Sequence, residues 1–352
     1  MSPSEALAVV RDAFQLGSSD DSSSWPVLAV ALEQGPDLAM LNEMAPSLPC
    51  VMVGICGEHG VDVPESFDIL LSTVPKATSP WIQCADAATT AADLIDCVLR
   101  SPLAAVSLVQ ILRLGSSLSV IDAVVAESFV YSMLQSGPTY RDWLESRHTT
   151  ASPDPDPDPD PDPDPILVRR NGSRMEIQLN RPRVRNALNA AMRDALLAAF
   201  QIVLLDTSVR SVQLSGRGPA FCSGGDLTEF GLAEDPSSAH RVRVRHSIGA
   251  LLSRCAERVQ VHLHGSCVGA GIEIPAFSRH IVAASDAAFS LPEVGFGLIP
   301  GAGGTASIPR RIGRQRTAFL AISGTSITAT TAKAWGLVDE VVDQLHDDAG
   351  PR

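Results

Sequence analysis

The second half of the 352-residue sequence predicts an α/β domain, because short apolar segments alternate with longer segments of helical periodicity. Asn171-Gly172 separates two of the apolar segments, and this dipeptide is the strongest short signal for a β-hairpin. Glycine-rich or small-residue turns follow the later apolar segments, where a strand would lead into a helix. These three observations indicate a domain in which strands and helices alternate.

The elements of this half are assigned from apolar spacing and from turn residues. Short apolar runs bounded by polar turns are assigned to strands, and apolar residues at helical spacing are assigned to helices. The prediction, in chain order, is strands over 166–170 and 175–179, a helix over 188–203, a strand over 211–214 that ends at Gly216, and strands over 259–263 and 281–284.

The first half gives weaker signals and no combination of residues that indicates catalysis. Ser119 is a suitable N-cap for a helix, and Pro102 is expected to break one, because proline has no backbone N–H to donate. The predicted elements are strands over 27–32 and 51–55 and helical stretches over 87–114 and 119–146.

A linker separates the two halves. Residues 153–165 are a strict alternation of proline and aspartate. Fixed proline dihedral angles favour polyproline II, and repulsion among the aspartates extends the chain, so this segment is expected to reach roughly 40 Å at about 3.1 Å per residue. We therefore divide the chain into a domain over 1–150, a linker over 151–165 and a domain over 166–352.

Composition and charge narrow the classes of function. The sequence is 45% hydrophobic and 19% charged, which is typical of a globular protein. Its formal charge is −13 and it has no concentrated basic stripe, so nucleic acid is not an expected partner. The first residues lack a basic segment ahead of an apolar core, and no apolar run is long enough to span a bilayer. We expect a cytoplasmic protein without a membrane partner.

Cysteine and histidine patterns indicate no metal site. Seven cysteines, an odd number without a CxxC pair, are expected to be buried reduced thiols rather than a disulfide or metal framework. His262 and His264 lie two apart on a predicted strand and share a face, but the third ligand of a metal site is missing.

Three glycine-rich segments carry the candidate chemistry, at 218–230, 264–277 and 291–305. Glycine allows backbone N–H groups to approach a carbonyl oxygen or a phosphate closely. The segment 301–304 lacks the order of a dinucleotide fingerprint and no Walker lysine is present, while Ser223 has no GxSxG elbow around it. A Rossmann domain, a P-loop domain and a serine hydrolase are therefore not favoured.

The sequence LNRPRVRNALN at 179–189, followed by these three segments in this order, resembles the enoyl-CoA hydratase/isomerase (crotonase) family. The resemblance covers about 166–343. It implies the ClpP/crotonase fold, a spiral of ββα units, and an oxyanion hole made by the backbone N–H groups of Gly225 and Ala270. Alanine in place of the usual glycine at 270 costs little, because the donor is main chain. Such donors stabilise the charge that develops on a thioester oxygen.

The resemblance also implies an acid/base pair, Glu273 and Glu293. Together they would hold one water, remove its proton and deliver a proton to C2 of a 2-enoyl thioester. Apolar neighbours make a coupled titration of the two carboxyl groups the expectation. For either glutamate alone, a solvated or capping role is the alternative.

Coenzyme A contacts follow less directly from the resemblance. Backbone at Val184, Arg185 and Ala187 would meet the pantetheine and adenine, and Arg183 and Arg185 would pair with phosphates unless they lie on a solvated turn. No separate cofactor is expected, since coenzyme A is part of the substrate. Thr228 stands where hydratases often have lysine, and Asp226 is interpreted as a helix cap rather than a catalyst. The further residues assigned to substrate binding are Ser223, Asp226, Leu227, Gly269, Pro292 and Gly301.

The first half is interpreted through the same resemblance. Family members continue past a segment like WGLVDEVV at 335–342 into C-terminal helices, and here ten residues follow it. Residues 100–147 resemble that helical region in pattern and length. Our hypothesis is that 1–150 is a degenerate crotonase-like copy whose helices dock on the catalytic half, in cis or swapped. An unrelated helical or partner-binding module is the alternative.

The resulting expectation is an enoyl-CoA hydratase that acts on an acyl-CoA thioester and forms a homo-oligomer, a trimer or a dimer of trimers. Within the family, an isomerase, a decarboxylase or a hydrolase with the same oxyanion hole is the alternative. Outside enzyme chemistry, the alternative is a non-catalytic acyl-CoA-binding or scaffolding subunit.

Overall fold

Two larger sheets, a small third sheet and the helices around them make up the described part of the chain. The predicted linker over 151–165 lies almost entirely outside the described residues, and so does its expected extended conformation. The computed structural model describes residues 1–15, 26–33, 35–56, 64–75, 78–150, 164–233 and 235–345.

The first half contains a four-stranded parallel sheet. Alternate side chains point to opposite faces of a strand. Accordingly, Leu28 and Met52 pack on one side of the sheet, while Val51 and Val53 pack on the other. The strands, in spatial order, are β1 (Val27–Ala31), β2 (Val51–Cys56), β3 (Ile69–Ser72) and β4 (Ile82–Gln83), and the first two helices are α1 (Pro3–Gln15) and α2 (Pro36–Met44).

Four further helices complete the first half. The predicted break at Pro102 is confirmed, and Ser119 caps the following helix by accepting a hydrogen bond from the Asp122 N–H (3.2 Å). The stretch predicted over 119–146 is two helices rather than one, because Gly137 and Pro138 interrupt it. The helices are α3 (Ala87–Arg100), α4 (Pro102–Gly115), α5 (Val120–Gln135) and α6 (Pro138–Thr150).

The second half has a six-stranded sheet that opens with the predicted hairpin. The two turn residues are Gly172 and Ser173, one position later than predicted, because Asn171 pairs with Arg174. All other pairings in this sheet are parallel. Its strands are β5 (Ile166–Asn171), β6 (Arg174–Leu179), β7 (Ser211–Gly216), β8 (Val259–Leu263), β10 (His280–Ala284) and β13 (Glu340–Val342), in the spatial order β13-β10-β8-β7-β6-β5.

A three-stranded sheet stands beside it, made of β9 (Ser266–Val268), β11 (Ala288–Ser290) and β12 (Ile327–Thr328). Strand β8 leads directly into β9, and β10 leads directly into β11, so each unit contributes one strand to each sheet. A helical turn follows each pair of strands. This repetition confirms the predicted spiral of ββα units.

The helices of the second half are short apart from the first. That helix begins two residues later than predicted, since Asn189 is its N-cap and accepts a hydrogen bond from the Met192 N–H (2.9 Å). The helices are α7 (Ala190–Leu205), α8 (Pro236–Arg245), α9 (Ile248–Ser253), α10 (Ala270–Glu273), α11 (Gly304–Ser307), α12 (Pro309–Ile312), α13 (Arg314–Ser323) and α14 (Ala329–Trp335).

No single described helix is long and apolar enough to cross a membrane, and only the pair α3 and α4, bent by 108°, meets that length and composition together.

The main hydrophobic core is shared between the halves. It includes one face of the first sheet, buried residues of α3, α4 and α5, and the interior of the second half. Helix α5 packs against α8, α9 and α11, and α13 packs against α3 and α4. The helices of 1–150 therefore lie on the second half within one chain, while the interpretation of 1–150 as a degenerate copy stays a prediction.

A buried ionic cluster also joins the halves. Asp68, with a side chain 1% exposed, forms ion pairs with Arg113 (2.6 Å) and with Arg314 of the second half (3.2 Å). It also accepts a hydrogen bond from the Met52 N–H (2.8 Å). Removal of this carboxylate would leave two mostly buried guanidinium groups without their shared partner.

We expect Asp68→Ala to lower the free energy of unfolding by about 3–5 kcal/mol, because an uncompensated buried charge is costly. Chemical denaturation followed by circular dichroism measures this loss. The control is Glu257→Gln, which removes an exposed ion pair with Arg279 and should change the stability far less. Equal effects of the two variants would contradict the structural role of Asp68.

Candidate active site

Two loops that carry predicted coenzyme A contacts run side by side. The Ser223 N–H donates to the Arg185 oxygen (3.0 Å), and the Leu188 N–H donates to the Gly224 oxygen (2.8 Å). The Asp226 N–H in turn donates to the Leu188 oxygen (2.9 Å). This pairing brings together the predicted substrate-binding residues Val184, Arg185, Ala187, Ser223, Asp226 and Leu227.

A fully buried asparagine holds the first of these loops in place. Asn186 donates from its side-chain nitrogen to the oxygens of Arg217 (2.8 Å) and Ala220 (2.9 Å), and its Oδ1 accepts from the Arg181 N–H (2.8 Å). Arg185 and Asn186 both have a left-handed backbone conformation, with φ of 52° and 55°. Sequence reasoning did not identify Asn186, although asparagine tolerates this conformation better than most residues.

Asp226 has a structural role at the second loop. Its carboxylate accepts a hydrogen bond from the Thr228 N–H (3.1 Å) and pairs with Arg181 (3.0 Å). The interpretation of Asp226 as a cap is confirmed. Its contact with Arg181 also ties the two loops together.

The predicted oxyanion donors lie on neighbouring segments. The Val268 N–H donates to the Cys222 oxygen (3.0 Å), and the Cys222 N–H donates to the Ser266 oxygen (3.2 Å). Among the described residues, neither the Gly225 N–H nor the Ala270 N–H has a protein acceptor. Two main-chain donors on adjacent segments are thus available to a substrate oxygen.

Gly269 lies directly beside both predicted acids. Its backbone has φ of 51°, and a Cβ added there would stand 2.3 Å from Glu293 Oε1 and 3.7 Å from Glu273 Oε1. The Gly269 N–H donates to the Ser290 oxygen (3.0 Å), which fixes the glycine against β11. The two carboxyl groups therefore lie close to one glycine, and a side chain at this position would clash with Glu293.

Glu273 is buried, with 2% of its surface exposed, between Ile272 and Ile274 of the core. Its Oε2 accepts hydrogen bonds from the N–H groups of Ala302 (2.7 Å) and Gly304 (2.9 Å). Burial raises the pKa of Glu273 to about 7 even though both bonds favour the charged form.

Glu293 differs from Glu273 in its hydrogen bonding. Its Oε2 is buried and has no hydrogen-bond partner among the described residues. Burial, followed by the negative charge of Glu273, raises the pKa of Glu293 well above its usual range, and Glu127 adds to this effect. Burial thus disfavours the charged form of both predicted acids, and Glu273 has two N–H donors that offset this, whereas Oε2 of Glu293 has none among the described residues.

Buried carboxyl groups occupy the start of α11. This helix has only four residues, and the N–H groups of the turn 302–305 donate to buried carboxyl groups. Buried acids need such donors, because an unsatisfied charge in the protein interior is costly. These four donors are thus occupied by protein.

The first half contributes two side chains that sequence reasoning missed. Glu127 of α5 is 2% exposed and binds the N–H groups of Gly303 (2.7 Å) and Thr305 (2.8 Å). One turn further along α5, the ring of Tyr131 packs on Gly301, where a Cβ would clash with it at 2.3 Å. A glutamate within the apolar run DAVVAESFV was a signal for a buried acid.

Comparison with known proteins identifies the family of this chain. The family model described as enoyl-CoA hydratase/isomerase matches residues 169–349, just over half of the chain. The chain belongs to the enoyl-CoA hydratase/isomerase family.

Relatives within this family carry out different reactions. The chain is 34% identical over 176 residues to 2,3-dehydroadipyl-CoA hydratase of Escherichia coli, covering 50% of this chain and 68% of the relative. It is 32% identical over 173 residues to 1,2-epoxyphenylacetyl-CoA isomerase of the same organism, covering 48% and 66%. It is 33% identical over 181 residues to mevalonyl-coenzyme A hydratase SIDH of Beauveria bassiana, and the match covers 48% of this chain and 63% of the relative. The chain thus spans about two thirds of the length of these relatives.

Solved structures of enoyl-CoA hydratases are also similar in sequence to this chain. The enzyme of Thermoplasma volcanium is 33% identical, with a TM-score of 0.48 over 51% of this chain and 73% of that one. The enzyme of Mycobacterium smegmatis is 32% identical, with a TM-score of 0.47, and the match covers 51% of this chain and 70% of that one.

A groove of about 420 Å³ lies beside the segment 292–295. Its size is suited to a small-molecule group. Both halves of the chain contribute to it, and Pro292 and Val294, which flank Glu293, form part of its wall. Cys97, Arg100, Thr139 and Trp143 line it from the first half.

The remaining candidate side chains have structural contacts. Five of the seven cysteines are buried, and Cys84 and Cys97 are partly buried. His264 Nε2 lies 2.9 Å from the Gly218 oxygen. Across the described parts of the chain, no three His, Cys, Asp or Glu residues are grouped so that they could hold a metal ion.

Proposed function

We propose that this protein is an enoyl-CoA hydratase, which adds water reversibly and in syn fashion across C2 and C3 of a 2-enoyl-CoA thioester. The observation that carries the proposal is that Glu273 and Glu293 both bring a carboxyl oxygen close to Gly269, while one buried oxygen of Glu293 has no protein partner among the described residues. Two carboxyl groups in this arrangement can hold a water molecule between them.

The thioester oxygen is bound by the N–H groups of Gly225 and Ala270. When water adds at C3, negative charge moves onto this oxygen and an enolate forms. Two preorganised donors stabilise that charge, and each is worth about 10²–10³ in rate. Both donors are main-chain groups, so side chains at these positions matter little for this step.

The pair of acids moves the protons. Glu273 takes the role of base, because two N–H donors favour its charged form, and Glu293, whose Oε2 has no donor among the described residues, takes the role of acid. The water oxygen bonds to C3 while Glu273 accepts the proton of the water, and Glu293 gives its proton to C2 as the enolate collapses. The product has gained one water, and proton exchange between the acids returns the pair to its starting state.

The coenzyme A part of the substrate is placed along the paired loops. Val184, Arg185 and Ala187 lie beside Ser223 and are partly or fully exposed. Exposed backbone and arginine side chains are suited to the pantetheine and phosphate groups. The groove beside Pro292 is the proposed place for the acyl group.

The test is incubation of the full chain with a panel of 2-enoyl-CoA thioesters. Hydration removes the absorbance of the conjugated enone, and mass spectrometry should find a product heavier by one water. A product that has the same mass as the substrate and a shifted double bond would show that the reaction is isomerisation rather than hydration. Binding of the thioesters without turnover of any would indicate a scaffolding subunit and reject the proposal.

A further inference from the structure

The turn 302–305 is held by two carboxyl groups at once. Its consecutive N–H groups donate alternately: those of Ala302 and Gly304 to Glu273, and those of Gly303 and Thr305 to Glu127. Glu273 comes from the catalytic half and Glu127 from α5 of the first half. The turn is therefore the contact through which the first half reaches a proposed catalytic acid.

Glu127 is bound by three donors in a buried position. Its Oε1 accepts from the Gly303 N–H (2.7 Å), and its Oε2 accepts from the N–H (2.8 Å) and the hydroxyl (2.7 Å) of Thr305. Its side chain is buried, so these bonds are shielded from water. The first N–H groups of a helix have no partner within that helix, so Glu127 supplies what the start of α11 lacks.

We propose that Glu127 is a positioning residue for Glu273: it fixes the turn whose other N–H groups orient the Glu273 carboxyl group toward the reacting water. The proposal rests on the proposed function for its kinetic consequence. Its structural part concerns only the two acids and the turn. Without Glu127, two N–H groups in the interior lose their acceptors, and the turn is free to rotate away from Glu273.

The charges around Glu127 link its ionisation to that of the proposed catalytic acids Glu273 and Glu293. Burial, and after it the charge of Glu273, raises the pKa of Glu127, whereas its bonds to Thr305 and Gly303 favour its charged form; Glu127 in turn raises the pKa of Glu293. Arg243 of α8 also acts electrostatically with Glu127. Arg113 of α4 is bound to Asp68, and α9 and α11 carry no ionisable side chain.

The first test is Glu127→Gln in the full chain. Glutamine keeps one acceptor oxygen, but its NH₂ group cannot accept from the second N–H of the turn. We expect kcat to fall by about 10²-fold, the scale for a misplaced catalytic group, with little change in KM. Loss of the negative charge lowers the pKa of Glu293, so the alkaline limb of the pH–rate profile should move to lower pH.

The control is Glu145→Gln on α6, which makes the same chemical change at an exposed position and should leave kcat and the pH profile unchanged. Thr305→Val removes only the hydroxyl donor and should give a smaller fall in kcat. If Glu127→Gln fails to fold, a wild-type kcat in Thr305→Val overturns the proposal. The proposal is also overturned if Glu127→Gln folds and has the kcat of the wild type and the same alkaline limb of the pH–rate profile.

A second readout does not depend on activity. Glu127 makes no bond to the N–H groups of Ala302 and Gly304, yet positioning predicts that their amide hydrogen exchange becomes faster in Glu127→Gln. Unchanged exchange at these two amides contradicts the proposal. An inactive wild type with faster exchange in the variant would reject the hydratase and retain the positioning role.

Discussion

Replacement of Glu273 by glutamine should lower turnover of a 2-enoyl-CoA by about 10²–10⁴-fold, the usual contribution of general acid/base catalysis. Glutamine has nearly the same shape, and its oxygen can still accept a hydrogen bond from the turn at Ala302 or Gly304. It cannot accept a proton from water at neutral pH. Binding of the thioester should be retained, because the proposed oxyanion donors at Gly225 and Ala270 are untouched.

Glu293→Gln should show a loss of similar size for the opposite reason, since it cannot deliver a proton to C2. Steady-state kinetics give the turnover, and calorimetry with a saturated acyl-CoA gives the binding. Glu257→Gln, at an exposed position, is the matched control and should behave as wild type. Full turnover in either active-site variant would remove that acid from the mechanism.

Much of this site could be predicted from the sequence because its parts are local. Gly269, Ala270 and Glu273 lie within five residues, so their relative positions follow from one tight turn and one helical turn. Glu293 could be placed through its segment, which follows the next strand pair of the ββα spiral. A helix cap is also local, and the prediction of Ser119 as a cap is confirmed, whereas Asn189 was placed inside the predicted helix and is its cap.

The features that were missed depend on contacts distant in sequence. Glu127 and Gly303 are 176 residues apart, and no pattern within α5 indicates which N–H groups its carboxylate meets. Strands β3 and β4 have four and two residues, too few for their apolar periodicity to be recognised. The contacts of the turn 302–305 with the two acids were likewise missed, because a free helix start and one occupied by buried acids have the same local sequence.

Replacement of Gly269 by alanine should abolish most activity through geometry rather than through loss of a functional group. A Cβ at this position would stand 2.3 Å from Glu293 Oε1, far inside contact distance, so the carboxyl group must move. Misplacement of a catalytic group by about 1 Å can cost about 10²-fold in rate. We expect at least such a loss of kcat although Glu273, Glu293 and both proposed oxyanion donors remain present.

The same variant should also be less stable, because alanine is strained at φ of 51° and ψ of −120° by about 1–3 kcal/mol. Gly35→Ala is the matched control, since its backbone is extended and no atom of the described residues lies within 4 Å of the added Cβ. Thermal unfolding and kcat should both be unchanged in that control. If Gly269→Ala were folded and fully active, the two carboxyl groups could not share a water across this glycine, because the added methyl group would occupy the space between them.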